Sequence, residues 1–202
     1  MTAPEKTRRS KRSRVAPIAV LGAAAFALSA CQEEKVETQV FPNKEACLEA
    51  TTDANSWWTA EECEKAFAEA QRAHAEGAPR YAEQKLCEEQ HGGACYVEQR
   101  SDGSSIFLPL MAGYMMGNMM GNSSASARSY TPQPIYKTKD NKYSTVSGSA
   151  IMSSNRSSGS VRATSFQRPT STYSKPAMTR ATVSKSGGFG ASRTSSSRSF
   201  GG

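Results

Sequence analysis

Five cysteines carry most of the chemistry this sequence can offer. Cys31 stands alone at the end of an apolar run, while Cys47, Cys63, Cys87 and Cys95 fall within one acidic stretch. Thiolates bind zinc or pair as disulfides, and spacing separates the two outcomes. No C-x-x-C pair occurs, and His74 and His91 do not sit at ligand spacings from the cysteines, which disfavours zinc. Four cysteines in an exported chain read instead as two disulfides, with three connectivities open. Cys47–Cys63 and Cys87–Cys95 are favoured, because each links nearest neighbours across a turn. A second group of soft ligands lies at Met111, Met115, Met116, Met119 and Met120, whose thioethers are a candidate Cu(I) site. The acids offer less. Glutamates are spread along helix surfaces, and His74 falls near a helix C-terminus, where a surface imidazole complements the dipole. Trp57 and Trp58 serve as core or loop anchors, or as a stacking surface for a sugar. The expectation is a non-enzymatic protein with no catalytic residue and no resident metal or cofactor.

The first thirty residues supply the address. Residues 6–14 hold six cations and no acid, and an apolar run from Val15 to Leu28 follows. Fourteen helical residues rise about 21 Å, short of the roughly 30 Å hydrocarbon core. A basic stretch followed by a short apolar one is the layout of a secretory signal. Its end, Leu28-Ser29-Ala30-Cys31, resembles the lipobox of bacterial lipoproteins. The thiol accepts a diacylglyceryl group, the small residues fit a peptidase groove, and cleavage leaves Cys31 as an acylatable N-terminus. Two or more acyl chains anchor firmly where one does not. Gln32 follows, not the Asp of inner-membrane retention, so the resemblance implies the periplasmic face of the outer membrane.

These residues must be held by something, and composition limits what. The chain has 202 residues and a formal charge of +7, but only 25 residues are Leu, Ile, Val or Phe. That is a poor supply for one continuous core. The charge is a sum over unlike parts: +5 in residues 1–30, −8 in 31–100 and +10 beyond. Export makes nucleic acid an improbable target for the basic part.

Helix signals concentrate in residues 43–100, which follow a linker at 31–42. Thr59-Ala60-Glu61-Glu62 is a capping box, Cys63 to Ala75 carries a small apolar stripe, and Gly77 and Pro79 stop it. Shorter helices are expected from Asn43 to Ala50 and from Tyr81 or Ala82 to Gln90, with Trp57, Trp58, Phe67, Tyr81 and Leu86 as a miniature core. Residues 101–121 contain IFLPLMAGYMMGNMMG, in which Gly113, Gly117 and Gly121 recur every fourth position. On a helix these glycines line one edge and let a partner helix or a bilayer approach. Packing against the cysteine module and a weakly ordered linker are the plainer alternatives. Residues 122–202 contain 22 serines, twelve Lys/Arg and one acid, Asp140, and read as a disordered tail. Its cations suit anionic lipid, lipopolysaccharide phosphate, an acidic protein partner, or the chain's own acidic module. The expected fold is therefore mostly disordered, with a small all-α, disulfide-stapled module and a short apolar Gly/Met-rich helix.

This layout resembles the YgiB-like family of uncharacterised bacterial proteins. The matching pieces are Glu45-Ala46-Cys47, Glu62-Cys63, Ala78-Pro79-Arg80-Tyr81, Pro109 to Gly117, Gly187-Gly188-Phe189-Gly190 and Ser197-Arg198-Ser199-Phe200-Gly201-Gly202. The resemblance implies a domain of unknown function and carries over no active-site residue. It is compatible with a lipid-anchored envelope protein that tethers or docks a partner, or with a periplasmic module for a small ligand or Cu(I).

Overall fold

A computed structural model describes residues 34–54, 56–93, 95–118 and 130–191. The sheet begins where the sequence predicts a linker. In Lys35–Phe41 (β1), Val36, Thr38 and Val40 are buried while Lys35 and Glu37 face solvent, the period-two pattern of a half-buried strand. Two helices follow, α1 (Lys44–Ala50) and α2 (Ala60–Gly77). Asn43 caps the first, its side-chain oxygen accepting from Ala46 N–H at 2.9 Å. Thr59 and Glu62 form the reciprocal box that starts the second. Helix α3 (Gln84–His91) ends at Gly92, whose φ of +56° is left-handed. A hairpin of β2 (Cys95–Gln99) and β3 (Ser105–Pro109) comes next.

The remaining elements are β4 (Gly113–Asn118), β5 (Gln133–Lys137), β6 (Tyr143–Thr145), β7 (Ile151–Met152), β8 (Ser158–Arg162), a 3₁₀ turn (Ala163–Phe166) and α4 (Arg180–Ser186). Six strands form one antiparallel sheet in the order β7-β6-β5-β4-β1-β8. Met152 of β7 and Val161 of β8 belong to opposite ends of that order, yet both pack with Val36, Val40, Met115, Ile135 and Phe166. The sheet therefore curls into a half-barrel around these side chains. Its outer face carries Phe41, Tyr114 and Met116 against Ala46, Cys47, Cys63, Ala66 and Ala70 of α1 and α2. Alanines at three- and four-residue spacing let α2 lie close to the strands. Disulfides Cys47–Cys63 and Cys87–Cys95 join α1 to α2 and α3 to β2, with Cα separations of 5.7 and 6.3 Å.

This architecture corrects three expectations. The protein is not a mostly disordered chain with an all-α module; a β half-barrel organises it, and the helices lie on the sheet. Gly113 to Asn118 is a strand rather than a helical edge, because β1 and β5 supply hydrogen-bonding partners on both sides. Residues 130–191 of the Ser-rich segment are folded, not a disordered tail. Their polar side chains are satisfied internally: Ser144 donates to Thr145 O at 3.0 Å, Ser165 to Ser149 O at 3.3 Å, and Gln133 to Phe166 O at 3.2 Å. The basic segment also meets the acidic one. Arg168 reaches Glu69 at 2.5 Å, and Arg180 reaches Glu83 at 3.3 Å and Glu89 at 2.8 Å. Among the described residues no helix is long and apolar enough to cross a membrane.

One buried group is left over. Tyr114 Oη is enclosed on the outer face of the sheet with no hydrogen-bond partner among the described residues. A desolvated hydroxyl without a partner costs about 1–3 kcal/mol. Tyr114→Phe is expected to leave stability unchanged or raise it by about 1 kcal/mol, and urea unfolding reads the difference. A loss of stability would show that the hydroxyl is bonded after all.

Candidate functional site

The strand pairing leaves a fork beside α2. Strand β4 pairs with β1 from Tyr114 to Asn118, but with β5 only from Gly113 to Met115. Continuing the register would set Met116 opposite Pro132 and Gly117 opposite Thr131. Pro132 has no N–H to donate, and from there residues 130–132 diverge from β4. Between this fork and α2 lies an open groove of about 400 Å³. Its floor is Ala66, Met116 and Gly117, with Trp58 and Tyr130 among its lining residues and Lys65, Glu69 and Arg72 along α2.

Each wall is fixed from behind. Trp58 Nε1 donates to Gln39 Oε1 at 3.0 Å. Tyr130 Oη donates to Glu34 at 3.1 Å, and its ring packs on Phe166 at 5.0 Å. The α2 charges are largely answered within the chain: Lys65 pairs with Glu61, and Glu69 is shared by Arg72 and Arg168. What the groove offers is a rigid aromatic and apolar floor under a rim of paired charges, suited to an apolar side chain or small apolar ligand rather than to an ion.

The expected interaction residues meet different fates. Cys31, Gly121, Met119 and Met120 lie outside the described residues. Met116 and Gly117 form the groove floor. Met111 is half-buried against the α1/α2 core, while Met115 projects to the opposite face of the sheet from Met116. Among the described residues, the thioethers of Met111, Met115 and Met116 do not converge on one point. Nor do Gly113 and Gly117 form an edge for another helix. A Cβ on Gly117 would lie 2.5 Å from the ring of Phe166, and Gly113, at φ +148°, is pressed against the backbone of Phe41 and Pro42. Their space is filled from within the chain. Among the described residues no group of three or more His, Cys, Asp or Glu is placed to hold a metal. Tyr130 and Thr131 had no signal in the sequence, since only the β4/β5 fork brings them to α2.

A second cluster contains both histidines. His74 is not a surface dipole partner: Nδ1 meets Tyr136 Oη at 2.9 Å and Nε2 meets Tyr96 Oη at 3.1 Å, tying α2 to both sheets. Burial, and then the Arg80 guanidinium, hold its pKa below the ordinary value. His91 donates from Nδ1 to Lys137 O at 2.9 Å, so Nε2 is the acceptor for Tyr81 Oη, also at 2.9 Å. Burial pushes it down to about 4 against the opposing pull of the Lys137 carbonyl. Arg80 is buried at the end of α2, donating to Ala75 O at 2.8 Å and to Thr172 Oγ1. These groups join elements of the fold.

The family model described as a protein of unknown function (DUF1190) matches residues 35–200. A UPF0441 protein of Serratia proteamaculans is 33% identical, the alignment covering 98% of this chain and 96% of that protein. UPF0441 proteins of Photorhabdus laumondii and Erwinia tasmaniensis are 29% and 30% identical, covering 94% and 87% of this chain and 91% and 80% of their own lengths. No solved structure matches. The match over the whole half-barrel, with its helices, cysteines and PLMAGYMMG strand, places the chain plainly: it belongs to the DUF1190 family of uncharacterised, YgiB-like bacterial proteins.

Proposed function

We propose that this protein is a non-enzymatic lipoprotein of the cell envelope, held at the periplasmic face of the outer membrane by acyl chains on Cys31, and that it works by docking an envelope partner. The groove between α2 and the β4/β5 fork carries the reading. It presents preformed aromatic and apolar surface while the charges around it are paired within the chain, so occupying it costs little desolvation of ions. Arg168 and Arg180 are likewise engaged with the protein's own acids, which favours the folded face over a basic tail as the contact surface. A small apolar ligand is the second reading, since about 400 Å³ lies within the range of small-molecule sites.

Thr131→Trp tests the groove by filling it from the half-buried fork, where only the backbone carbonyl of residue 131 is used by Gln133. A photo-crosslinking residue placed at Lys65 should capture one discrete protein in cells. Thr131→Trp should reduce that capture about tenfold while leaving the melting temperature unchanged. Capture that persists in Thr131→Trp sinks the docking reading, and the absence of a discrete adduct favours a small ligand. Cys31→Ser should move the protein from the outer-membrane fraction to the soluble periplasm, and retention there would remove the anchor.

A further inference from the structure

We propose that the C-terminal strap Thr179–Ala191 is an acid-operated clasp, released when His91 takes a proton while the half-barrel stays folded. The strap is hinged where Met178 pairs with Tyr81: Met178 N–H donates to Arg80 O at 2.7 Å and Ala82 N–H to Met178 O at 3.0 Å. Beyond the hinge, Val183 of α4 packs on Tyr81, Leu86 and Cys87. The far end closes on His91. Phe189 lies tilted against the imidazole with ring centres 4.3 Å apart, and its N–H donates to Gln90 Oε1 at 2.9 Å.

The hydrogen bonds suit the imidazole in its neutral form. Nδ1–H is committed to the Lys137 carbonyl, so Nε2 must accept from Tyr81, whose phenol is only 1% exposed. A second ring proton would force the Tyr81 hydroxyl to turn and accept, which costs it its own acceptor, and would place a charge in a buried site beside Phe189 and Tyr136. The charged groups nearby give no relief. The Lys137 ammonium lies 3.3 Å from Gly92 O at the end of α3, Lys185 lies in the last turn of α4, and Arg180 is shared by Glu83 and Glu89 on α3 and its approach. Among the described residues, neither hydrogen-bond partner of the ring is a carboxylate.

The sign follows from linkage. With the strap closed, burial holds His91 near about 4, and with it open the ring returns toward its ordinary 6.5. The open form binds the proton, so the clasp is at full strength above about 6.5 and weakens as pH falls toward 4. The closed-to-open ratio drops by up to about tenfold per pH unit in that window. Glu89, kept below the usual carboxylate range by Arg180, adds its own loss only at lower pH.

Amide hydrogen exchange of the full-length chain, corrected for intrinsic chemistry, tests this between pH 6.5 and 4, with the two imidazoles followed by NMR. Opening of the strap should rise about a hundredfold across the window, with β1 and β4 unchanged. His91→Gln, which keeps a donor for Lys137 O but cannot titrate, should flatten the profile. Phe189→Ala, which loosens the strap directly, should move the His91 titration up toward its ordinary value. Three results would overturn the proposal: a wild-type His91 that titrates near 6.5 with the strap protected, the same pH profile in His91→Gln, or β1 and β4 opening together with the strap. Should His91→Gln fail to fold, the Phe189→Ala titration decides alone.

Discussion

Replacing both Cys47 and Cys63 by alanine is expected to remove about 3 kcal/mol of stability. The bridge spans 16 residues, and closing a loop of that size restricts the unfolded chain by about this amount. Its position adds to the effect. Both cysteines are fully buried between the helices and the outer face of the sheet, and Cys47 Sγ lies 3.8 Å from Met116 Sδ on β4. Cutting it loosens α1 from α2 at the layer that covers Tyr114 and Phe67. The Cys87–Cys95 bridge spans only 8 residues, and Cys95 is half-buried, so its removal is expected to cost less, about 2.5 kcal/mol. Urea unfolding of the two double variants, with reductant-treated wild type alongside, measures both. A loss under about 1 kcal/mol for Cys47/Cys63 would mean that the alanine stripe of α2 holds the layer by packing alone.

The helices were legible because their signals are local. Asn43, the Thr59–Glu62 box and Gly92 act within one turn, and each marks its boundary to within a few residues. Tyr81 and Leu86 belong to the core as expected, while Trp57 stays 43% exposed and only Trp58 joins the buried side. The half-barrel was not legible, for two physical reasons. Its pairings are remote in sequence, Val40 with Met115 and Val36 with Val161, so no window contains both partners. Beside Val36, Val40, Ile135 and Phe166, much of the buried interior is also made of residues that do not announce a core. Tyr81, Tyr114, Tyr136, Met115, Thr145 and Ser144 are all buried, and a count of Leu, Ile, Val and Phe misses every one of them. The Val36-Thr38-Val40 alternation is a strand signal inside the residues expected to be a linker. Part of the groove was legible, since Met116 and Gly117 lie in the stretch singled out by its spacing. The helical edge expected there is replaced by a strand, while packing against the cysteine module, the plainer alternative, is what Tyr114 and Met116 show.

Four-residue glycine spacing is ambiguous in principle, because i and i+4 share a face on a strand as well as on a helix. Gly117→Ala separates the two by the sign of its effect. In an exposed helix an alanine would stabilise by about 1 kcal/mol. In the half-barrel the new methyl meets Phe166, whose ring atoms lie 2.5 to 2.9 Å from the ideal Cβ and whose side chain is buried. Overpacking of this kind costs about 1–3 kcal/mol, and the upper end is expected here because Phe166 is also held by Tyr130. Gly113→Ala should be as costly for a different reason, a φ of +148° that disfavours any side chain and a Cβ driven toward the Phe41 carbonyl. The clash at Gly117 has a single named partner, so a double-mutant cycle isolates it. Phe166→Leu alone destabilises, but in that background Gly117→Ala should cost at least about 1 kcal/mol less than it does in the wild type. Additive costs would leave Phe166 uninvolved, and a stabilising Gly117→Ala would put the segment back on a helix.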